Sequence, residues 1–468
     1  MFSPPKNIEH FEKIATKIEA GRKGVKFYHR IIQKYHRFFI PENARVLEIG
    51  CSTGNLLASV KPSYGVGIDF SPKMVEIAKK NHPNLHFFVQ DAQDLQINET
   101  FDFIILSDLV GSLWDVQLAI KNLKKVCAPN TRIIITHHNT LWEPFLKLLE
   151  KLHLKHRVPE QNWLSISDLQ NFLHLEGFEL IRTERKIMFP IFLPILSWLY
   201  NRYLSNLPFF RHFCMTRFLI SRPVYQDKRE YSVSIVVPAR NEKGNIENAI
   251  LQTPDFGSKQ EFIFIEGHSK DGTWEEILRV KEKYPEKNIV AMRQTGKGKG
   301  NAVREAFDAA SCDILMILDA DLTTPPEDMP KFYEALRDNK GEFINGCRLV
   351  YPMEKQAMRT LNLIANKMFG MLFTYLLGQR LKDTLCGTKV LYKKDYEVIK
   401  ENRSYFGDFD PFGDFDLLFG ASKMNLKIAE INIRYKDRAY GSTQISRFRH
   451  GLLLIRMCFF AARKIKFV

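Results

Sequence analysis

Two aspartates past the middle of the chain are the residue types best suited to chemistry. Asp319 and Asp321 follow an apolar run, residues 314–318, that predicts a buried strand. In extended backbone, residues two apart point to the same side, so both carboxylates can face one ligand. Carboxylate oxygens are hard ligands that suit Mg²⁺ or Mn²⁺. The pair therefore predicts a divalent cation site that could hold a diphosphate.

Three further polar motifs precede this pair, and they read V-V-P-A-R-N-E (236–242), I-E-G-H-S-K-D-G-T (265–273) and G-K-G-K-G (296–300). In the third motif, Lys297, Lys299 and the nearby Arg304 supply cations, and the glycines let backbone approach a diphosphate. A solvated turn is the alternative for such a loop. Its position between the earlier strands and the aspartate pair favours phosphate binding.

The four motifs, in this order, resemble the family 2 glycosyltransferases with a GT-A fold, and within them the dolichyl-phosphate mannosyltransferase-like branch. The resemblance covers about residues 231–468. It implies a site for a nucleotide-sugar donor made by Pro238, Arg240, Asn241, Glu242, Glu266, Asp271, Lys297, Lys299, Arg304, Asp319 and Arg438. The family usually has two adjacent aspartates where this chain has Glu266 and Gly267, so the base that it recognises stays open.

The reaction implied by the resemblance is attack on a sugar anomeric carbon, with a nucleoside diphosphate leaving. A hydroxyl acceptor would need a base, whereas a lipid phosphate is already ionised near pH 7. The branch implies a polyprenyl-phosphate or other lipid-linked acceptor. Asp414 and Asp416, in the acid-rich run 406–416, lie where the family places its acceptor-side acid and are the candidate catalytic residues. Loop and helix-capping roles are the alternative.

A second candidate site lies in the first half of the chain, where turns follow three predicted strands. A glycine-bearing turn follows the strand at 45–49, and acids end the next two strands. The glycines let a ligand approach a helix N-terminus, and the first acid can accept hydrogen bonds from ribose hydroxyls. The candidate cofactor-binding residues are Glu48, Gly50, Ser52, Gly54, Asp69, Asp91 and Ala92.

This set resembles the class I S-adenosylmethionine-dependent methyltransferases over about residues 44–182, which implies S-adenosylmethionine as cofactor. A nicotinamide site is the competing interpretation, but it would require G-x-G-x-x-G, and here Gly50 is followed by C-S-T-G. His137 and His138 follow another strand and could serve as a general base. Alternatively, the two histidines only line the pocket or lie on the surface.

The domain organisation follows from an alternation of strands and helices that starts near residue 45 and restarts at 232. It predicts an α/β protein with two doubly wound domains. The first, 1–184, would have a Rossmann-like methyltransferase fold and the second, 231–468, a GT-A fold. Residues 185–230 are expected to form an aromatic, basic joint and linker with possible membrane contact.

The net charge of +15 is concentrated in two segments. Residues 185–225 contain six Lys/Arg, ten aromatics and no acid, and residues 438–468 contain seven Lys/Arg and no acid. Arg449, Arg456 and Arg463 recur every seven residues and predict a basic stripe on an apolar helix. This favours a peripheral membrane surface on anionic lipid, with a core helix carrying snorkelling arginines as the alternative. Nucleic acid is disfavoured, because the basic residues alternate with aliphatic ones.

Localisation is predicted from the remaining features. The longest uncharged run in these basic segments, 187–201, contains two prolines and is shorter than the ~20 residues of a spanning helix. Seven scattered cysteines without paired spacing fit a reducing cytoplasm, and no signal peptide is recognised. We therefore expect a bifunctional transferase on the cytoplasmic face of a membrane. The alternatives are a glycosyltransferase whose first domain only binds S-adenosylmethionine, as a sensor or scaffold, and a non-enzymatic basic membrane adaptor.

Overall fold

The computed structural model describes residues 9, 12, 13, 15, 23–152, 161–225, 229–351, 360–405, 413–438, 440 and 447–468. The chain divides into two compact units, of which the first contains Met1–Tyr225 and the second Gln226–Lys466. The division lies within a few residues of the point at which the strand–helix alternation restarts. All seven cysteines are buried and none forms a disulfide.

In the described part of the first unit, seven strands form one sheet in the order β3-β2-β1-β4-β5-β7-β6. All pairs are parallel except those of β7, which runs antiparallel to both its neighbours. The central strands are continuous apolar runs because helices cover both faces of such a sheet. The strands are β1 Arg45–Ile49, β2 Tyr64–Asp69, β3 His86–Val89, β4 Phe101–Ser107, β5 Cys127–His138, β6 Phe178–Lys186 and β7 Thr216–Pro223.

Three helices of the first unit begin at a residue whose side chain caps them, namely Ser71, Asp115 and Ser165. Ser71 accepts a hydrogen bond from the Met74 N–H at the start of α3, and Ser165 and Asp168 form a capping box at the start of α6. The helices are α1 Lys23–Phe39, α2 Asn55–Ser59, α3 Pro72–Asn81, α4 Val116–Asn122, α5 Glu143–Lys151, α6 Ile166–Leu175 and α7 Leu196–Arg202.

The structure differs from the expected joint at residues 185–230. Most of this stretch belongs to the first unit, because the chain leaves the sheet at the end of β6 and returns to it as β7. Residues 187–215, which include α7, form an insertion between these two strands, called the β6–β7 insertion below. The composition of the stretch hid β7, whose Phe218, Leu219 and Ile220 are fully buried, Leu219 on one face of the sheet and the other two on the opposite face.

The described part of the second unit also contains a seven-stranded sheet, in the order β10-β9-β8-β11-β13-β12-β14. Strand β13 runs antiparallel to β11 and β12, and the other pairs are parallel. The strands are β8 Ser232–Ala239, β9 Lys259–Glu266, β10 Ile289–Arg293, β11 Ile314–Ile317, β12 Phe343–Cys347, β13 Lys389–Tyr392 and β14 Ile428–Asn432. Both units are therefore doubly wound α/β folds, as predicted.

Helices pack on both faces of this second sheet in two apolar clusters. One cluster contains side chains from α10, α12, α13, α14 and α15, and the other contains side chains from α8, α9 and α11. Within the described residues, no helix combines the length and apolar character needed to cross a bilayer. The helices are α8 Ile246–Leu251, α9 Thr273–Lys283, α10 Lys299–Ala309, α11 Met329–Arg337, α12 Thr360–Leu377, α13 Lys393–Glu401, α14 Asp414–Lys423 and α15 Arg447–Ile465.

Candidate active sites

The four motifs of the second unit follow four strands that are neighbours in its sheet. Strands β10, β9, β8 and β11 are parallel, so the loops at their carboxyl ends lie along one edge. The chain changes direction between β8 and β11, and such a switch point forms a crevice suited to ligands. The fold thus gathers motifs that are up to 85 residues apart in the sequence, from Val236 to Asp321.

Each aspartate of the pair after β11 contacts a cation. Asp319 Oδ1 lies 2.6 Å from Lys299 Nζ, at the start of α10. Asp321 Oδ2 accepts a hydrogen bond from Arg438 Nη2, and its Oδ1 accepts one from Thr323 Oγ1 at 2.8 Å. Burial alone would raise the pKa of Asp319, but Lys299 and more distant cations outweigh it and lower that pKa. The structure therefore brings together two predicted carboxylates and two predicted cations.

Arg438 also contacts the loop after β8. Its Nη1 lies 3.3 Å from Glu242 Oε1, so the guanidinium bridges Glu242 and Asp321. Burial raises the pKa of Glu242 to about 7, although Arg438 and Asn245 act in the opposite direction. The neighbouring Asp271 accepts hydrogen bonds from Thr273 and from the Lys243 N–H, and these outweigh burial to lower its pKa.

The loops after β8 and β9 hold each other through hydrogen bonds from backbone N–H groups to side-chain oxygens. Asn241, with φ of 56°, accepts from the Lys270 N–H at 2.9 Å and donates its own N–H to Ser269 Oγ at 2.9 Å. The buried Glu266 accepts from the Ser269 N–H. Pro238 lies in β8, and Arg240 is exposed just beyond it. Which nucleotide base these residues select stays a prediction.

The glycine–lysine loop after β10 ends at the first turn of α10. Lys297 is exposed, and Arg304 lies half-buried one turn into the helix. Gln294 Nε2 donates to the Gly298 carbonyl at 2.8 Å and thereby fixes the loop. A Cβ added to Gly413 would lie only 2.8 Å from Gly300 Cα, so the start of α14 directly abuts the start of α10.

The two candidate catalytic acids, Asp414 and Asp416, lie at the start of α14. The side chain of Asp414, like residues 406–412 before it, lies outside the described part of the chain. Asp416 is buried, and its Oδ2 accepts a hydrogen bond from Arg403 Nε at 2.7 Å. This ion pair explains the burial of Asp416 without a catalytic role, and a role in catalysis stays a prediction for both.

Sequence reasoning missed the close packing of the loop before β13 against Asp319. A Cβ at Gly387 would lie 2.5 Å from Lys299 Nζ and 2.6 Å from Asp319 Cγ. The loop is fixed by the buried Asp383, which pairs bidentately with Arg348 at 2.7 and 2.8 Å. The run D-T-L-C-G-T-K at 383–389 contains these residues, but its sequence gives no indication of this close packing.

In the first unit, the predicted cofactor residues gather at the carboxyl edge of its sheet. Gly50 and Gly54 have φ of 73° and 76° in the turn after β1, and Glu48 accepts from the Leu57 N–H at 2.9 Å. Burial raises the pKa of Glu48 to about 8. A Cβ on Gly50 would lie 2.7 Å from Leu109 Cδ1, so this turn touches the loop after β4.

The acids after β2 and β3 complete that edge. Asp69 is buried and accepts from the Ser52 N–H at 2.9 Å and the Ser71 N–H at 3.0 Å. Burial raises its pKa, although the backbone donors act in the opposite direction. Asp91 accepts from the Gln93 N–H at 2.9 Å, and Ala92 is buried beside it.

The two histidines at the end of β5 have different surroundings. His137 is buried, and burial lowers its pKa to about 4. His138 is partly exposed, with Nδ1 3.4 Å from Asp108 Oδ1 in the loop after β4. Neither Asp108 nor Tyr28, which donates to its Oδ2 at 2.8 Å, was identified from the sequence.

Comparisons with known proteins identify both units. Residues 24–183 match the family model described as a methyltransferase domain, and residues 234–398 match glycosyl transferase family 2. A dolichol-phosphate mannosyltransferase of Pyrococcus furiosus is 36% identical over 120 residues, which are 25% of this chain and 33% of that protein. Another, from Saccharomyces cerevisiae, is 36% identical over 115 residues, which are 24% of this chain and 42% of that protein.

Among solved structures, an SAM-dependent methyltransferase from Thermotoga maritima is similar over 46% of this chain and 98% of its own, with 19% identity and a TM-score of 0.36. The matches to the two mannosyltransferases span less than half the length of either relative.

Proposed function

We propose that this chain, which joins a methyltransferase domain to a family 2 glycosyl transferase domain, is a bifunctional transferase of one pathway. The second domain would transfer a sugar from a nucleoside diphosphate donor to a polyprenyl-phosphate or other lipid-linked acceptor. The first would transfer a methyl group from S-adenosylmethionine. The observation that carries the proposal is the meeting of Asp319, Asp321, Lys299 and Arg438 at the switch point of the second sheet.

Sugar transfer requires stabilisation of the charge that develops on the leaving diphosphate. Lys299 and Arg438 are placed for this, since each already forms an ion pair with a carboxylate at the site. A phosphate group could replace the carboxylates as the partner of these two cations, so that each cation would remain paired with a negative charge. Lys297, exposed in the same loop, would add a further cation to the donor side.

The two carboxylates of the site suit a divalent cation as ligands. Mg²⁺ in nucleotide sites is bound by one or two carboxylates together with substrate phosphates. Asp319 and Asp321 supply those two carboxylates, and within the described residues no group of three or more potential ligands competes with them. Bound there, Mg²⁺ or Mn²⁺ would supply positive charge to the leaving group.

The proposed acceptor removes the need for a strong base. A polyprenyl phosphate is a dianion or monoanion near pH 7, so its oxygen can attack without losing a proton to the enzyme. The ion pair of Asp416 with Arg403 agrees with such an acceptor, because a paired, buried carboxylate is a poor base. Asp414 remains the candidate if the acceptor is a hydroxyl.

S-adenosylmethionine fits the edge of the first sheet. The turn after β1 passes through the left-handed and only half-buried Gly50, and the buried Asp69 retains acceptor capacity for ribose hydroxyls. Asp91 and Ala92 lie where an adenine ring would follow. When bound, the cofactor supplies an activated methyl group, and the protein's contribution is to position the acceptor in line with it.

A peripheral position on the cytoplasmic membrane face would bring both domains to a lipid-linked substrate. In the first unit, the β6–β7 insertion exposes Phe192, Ile195, Trp198 and Phe209 by 54–78% within a basic, acid-free segment. Such an apolar and basic surface is complementary to anionic lipid, the occupant we propose.

The second unit has a comparable surface of its own. Helices α12 and α15 pack against each other, and Met371, Leu452 and Phe459 on them are 69–73% exposed. Arg456 and Arg463 are exposed on α15, whereas the side chain of Arg449 lies outside the described part of the chain.

The proposal is tested by thermal shift with UDP-, GDP- and CDP-sugars, with and without Mn²⁺, and with S-adenosylmethionine. Ligand at about 100 times its Kd adds about 2.7 kcal/mol of stability. Asp319→Asn should abolish the Mn²⁺-dependent shift and sugar transfer while the S-adenosylmethionine shift persists. Binding of the methyl donor without methyl transfer to any lipid-linked sugar would reduce the first domain to a sensor.

A further inference from the structure

The loop after β4 and the end of β5 place two polar side chains beside the cofactor edge of the first unit. Strand β4 lies between β1 and β5, and the Asp108 N–H donates to the Thr136 carbonyl at 3.0 Å. Asp108 has φ of 52°, a left-handed conformation that asparagine and aspartate tolerate best. Its neighbour Leu109 touches the glycine turn after β1, so Asp108 lies one residue from the cofactor loop.

Asp108 faces both an imidazole and a phenol. His138 Nδ1 lies 3.4 Å from Asp108 Oδ1, and Tyr28 Oη donates to Asp108 Oδ2 at 2.8 Å. Thr216 Oγ1 on β7 lies 3.3 Å from the Tyr28 hydroxyl and completes the chain of contacts. Asp108 Oδ1 is buried and has no hydrogen bond within the described residues. A small rotation of the imidazole would satisfy it.

A carboxylate at Nδ1 selects one tautomer of a neutral histidine. With the proton on Nδ1, the imidazole could donate to Asp108 and would keep Nε2 as a bare acceptor. Among the described residues no hydrogen bond to Nε2 is formed, and the side chain is 18% exposed, so this nitrogen can meet a substrate. His137 differs because both its nitrogens are buried without partners.

The charged and titratable groups around this imidazole come from four elements. They are Asp108 after β4, Tyr28 and His29 on α1, His137 on β5 and Arg217 on β7. Burial alone would raise the pKa of Asp108, but His138, Tyr28 and His29 outweigh it and hold that pKa at about 2. Asp108 thus stays ionised through neutral pH and can stabilise a cationic imidazolium.

We propose that His138 is the general base of the methyl transfer, that Asp108 and Tyr28 position it, and that the methyl acceptor is an alcohol hydroxyl, such as one on a sugar. The inference rests on the proposed methyltransferase activity and names its substrate class. A carboxylate or phosphate acceptor is already anionic and needs no base, whereas an alcohol must lose its proton as it attacks.

The proposed step balances in atoms and charge. The acceptor oxygen forms a bond to the methyl carbon, the carbon–sulfur bond breaks, and its electron pair stays on the sulfur. The sulfonium becomes a neutral thioether, and the hydroxyl proton moves to His138 Nε2. The resulting imidazolium is held by Asp108, so the positive charge lost at sulfur reappears beside a carboxylate.

The first test is the tautomer of His138 in the full chain, read by ¹⁵N NMR of histidine-labelled protein and assigned with His138→Gln. We expect a neutral Nδ1–H imidazole near pH 8 that loses this preference in Asp108→Asn. An Nε2–H tautomer in the wild-type chain would overturn the proposal. If calorimetry shows that the wild-type chain does not bind S-adenosylmethionine, the proposed methyltransferase function itself is refuted.

The second test follows methyl transfer from radiolabelled S-adenosylmethionine to a short-chain polyprenyl-phosphate hexose and to the matching nucleoside diphosphate hexose. His138→Ala should lower kcat by ~10²–10⁴-fold with the cofactor Kd unchanged. His174→Ala, an exposed histidine on α6, is the matched control and should leave kcat within threefold. Less than a threefold loss in His138→Ala, or a labelled ester or amine in place of an ether, would contradict the assignment. If neither sugar is labelled, the tautomer of His138 alone decides whether its assignment as general base stands.

Discussion

Replacing Gly387 with alanine should disable sugar transfer while leaving the second unit folded. The new Cβ would lie 2.5 Å from Lys299 Nζ and 2.6 Å from Asp319 Cγ, whereas ordinary contact begins near 3.4 Å. Asp319 Oδ2 would be closer still, at 2.0 Å, so the ammonium would have to retreat by about 0.9 Å and the carboxylate by about 1.4 Å. A displacement of about 1 Å in a positioning group costs roughly 10²-fold in rate. That factor corresponds to about 2.7 kcal/mol of transition-state stabilisation.

The assay is steady-state transfer with the nucleotide sugar that stabilises the wild type, together with urea unfolding. We expect kcat/KM to fall about 100-fold and the free energy of unfolding to change by less than ~1 kcal/mol. The small change is expected because the obstructing atoms are ends of side chains, which can move without shifting the backbone.

Gly451→Ala is the matched control, since an added Cβ there meets nothing within 4 Å. Gly451 lies inside α15, and alanine is favoured over glycine in a helix by about 1 kcal/mol. This variant should therefore be slightly more stable and equally active. Transfer by Gly387→Ala within threefold of the wild type would refute the reasoning about close packing at Asp319.

Three further perturbations have defined outcomes. Asp416→Ala leaves the Arg403 guanidinium without its carboxylate and should cost roughly 2–3 kcal/mol in urea unfolding, with kcat kept within threefold. Glu48 has a pKa raised from 4.5 to about 8, so the folded state binds a proton that the unfolded state lacks between those values. Its contribution to stability is complete below pH 4.5 and declines as pH rises towards 8. Between pH 5 and pH 8 this group lowers the free energy of unfolding by on the order of 3 kcal/mol, and Glu48→Gln should remove that decrease, as measured by unfolding at the two pH values. Phe209→Asp and Phe459→Asp should each weaken sedimentation with anionic vesicles about tenfold or more, because each removes an exposed aromatic anchor.

Each of these predictions has its own counter-result. A kcat loss of 100-fold in Asp416→Ala without a loss of stability would support its catalytic assignment. An unchanged slope of stability against pH in Glu48→Gln would mean that other groups set it. Leu278→Asp, at an exposed site on α9, is the control for vesicle binding, and an equal loss there would show that the effect is only one of added negative charge.

The sequence predicted two doubly wound α/β domains and the loops that carry the candidate sites. Strand Arg45–Ile49 has the expected bounds, because a short apolar run between turn residues leaves little choice. The motif loops could be placed because parallel strands end at one edge, so their order alone determines which loops meet.

Other parts depended on long-range packing that no local pattern carries. Strand β7 was hidden because its buried residues lie in a basic, aromatic stretch that resembles a surface segment. Contacts in both candidate sites were hidden because the contacting residues are far apart in the sequence. In the first unit Tyr28 lies 80 residues before Asp108, and in the second unit Gly387 lies 68 residues after Asp319. Ion pairing of Asp416 with Arg403 likewise depends on how α14 lies against the turn after α13.

The glycine contact between α10 and α14 has an electrostatic consequence. Because Gly413 abuts Gly300, the N-termini of both helices converge on the end of the glycine–lysine loop. Each helix dipole places about half a positive charge at its N-terminus. Together they hold roughly one unit charge in the backbone, which no side-chain substitution can remove. Variants that lack Lys297 and Lys299 should therefore retain part of their affinity for an anion at this point.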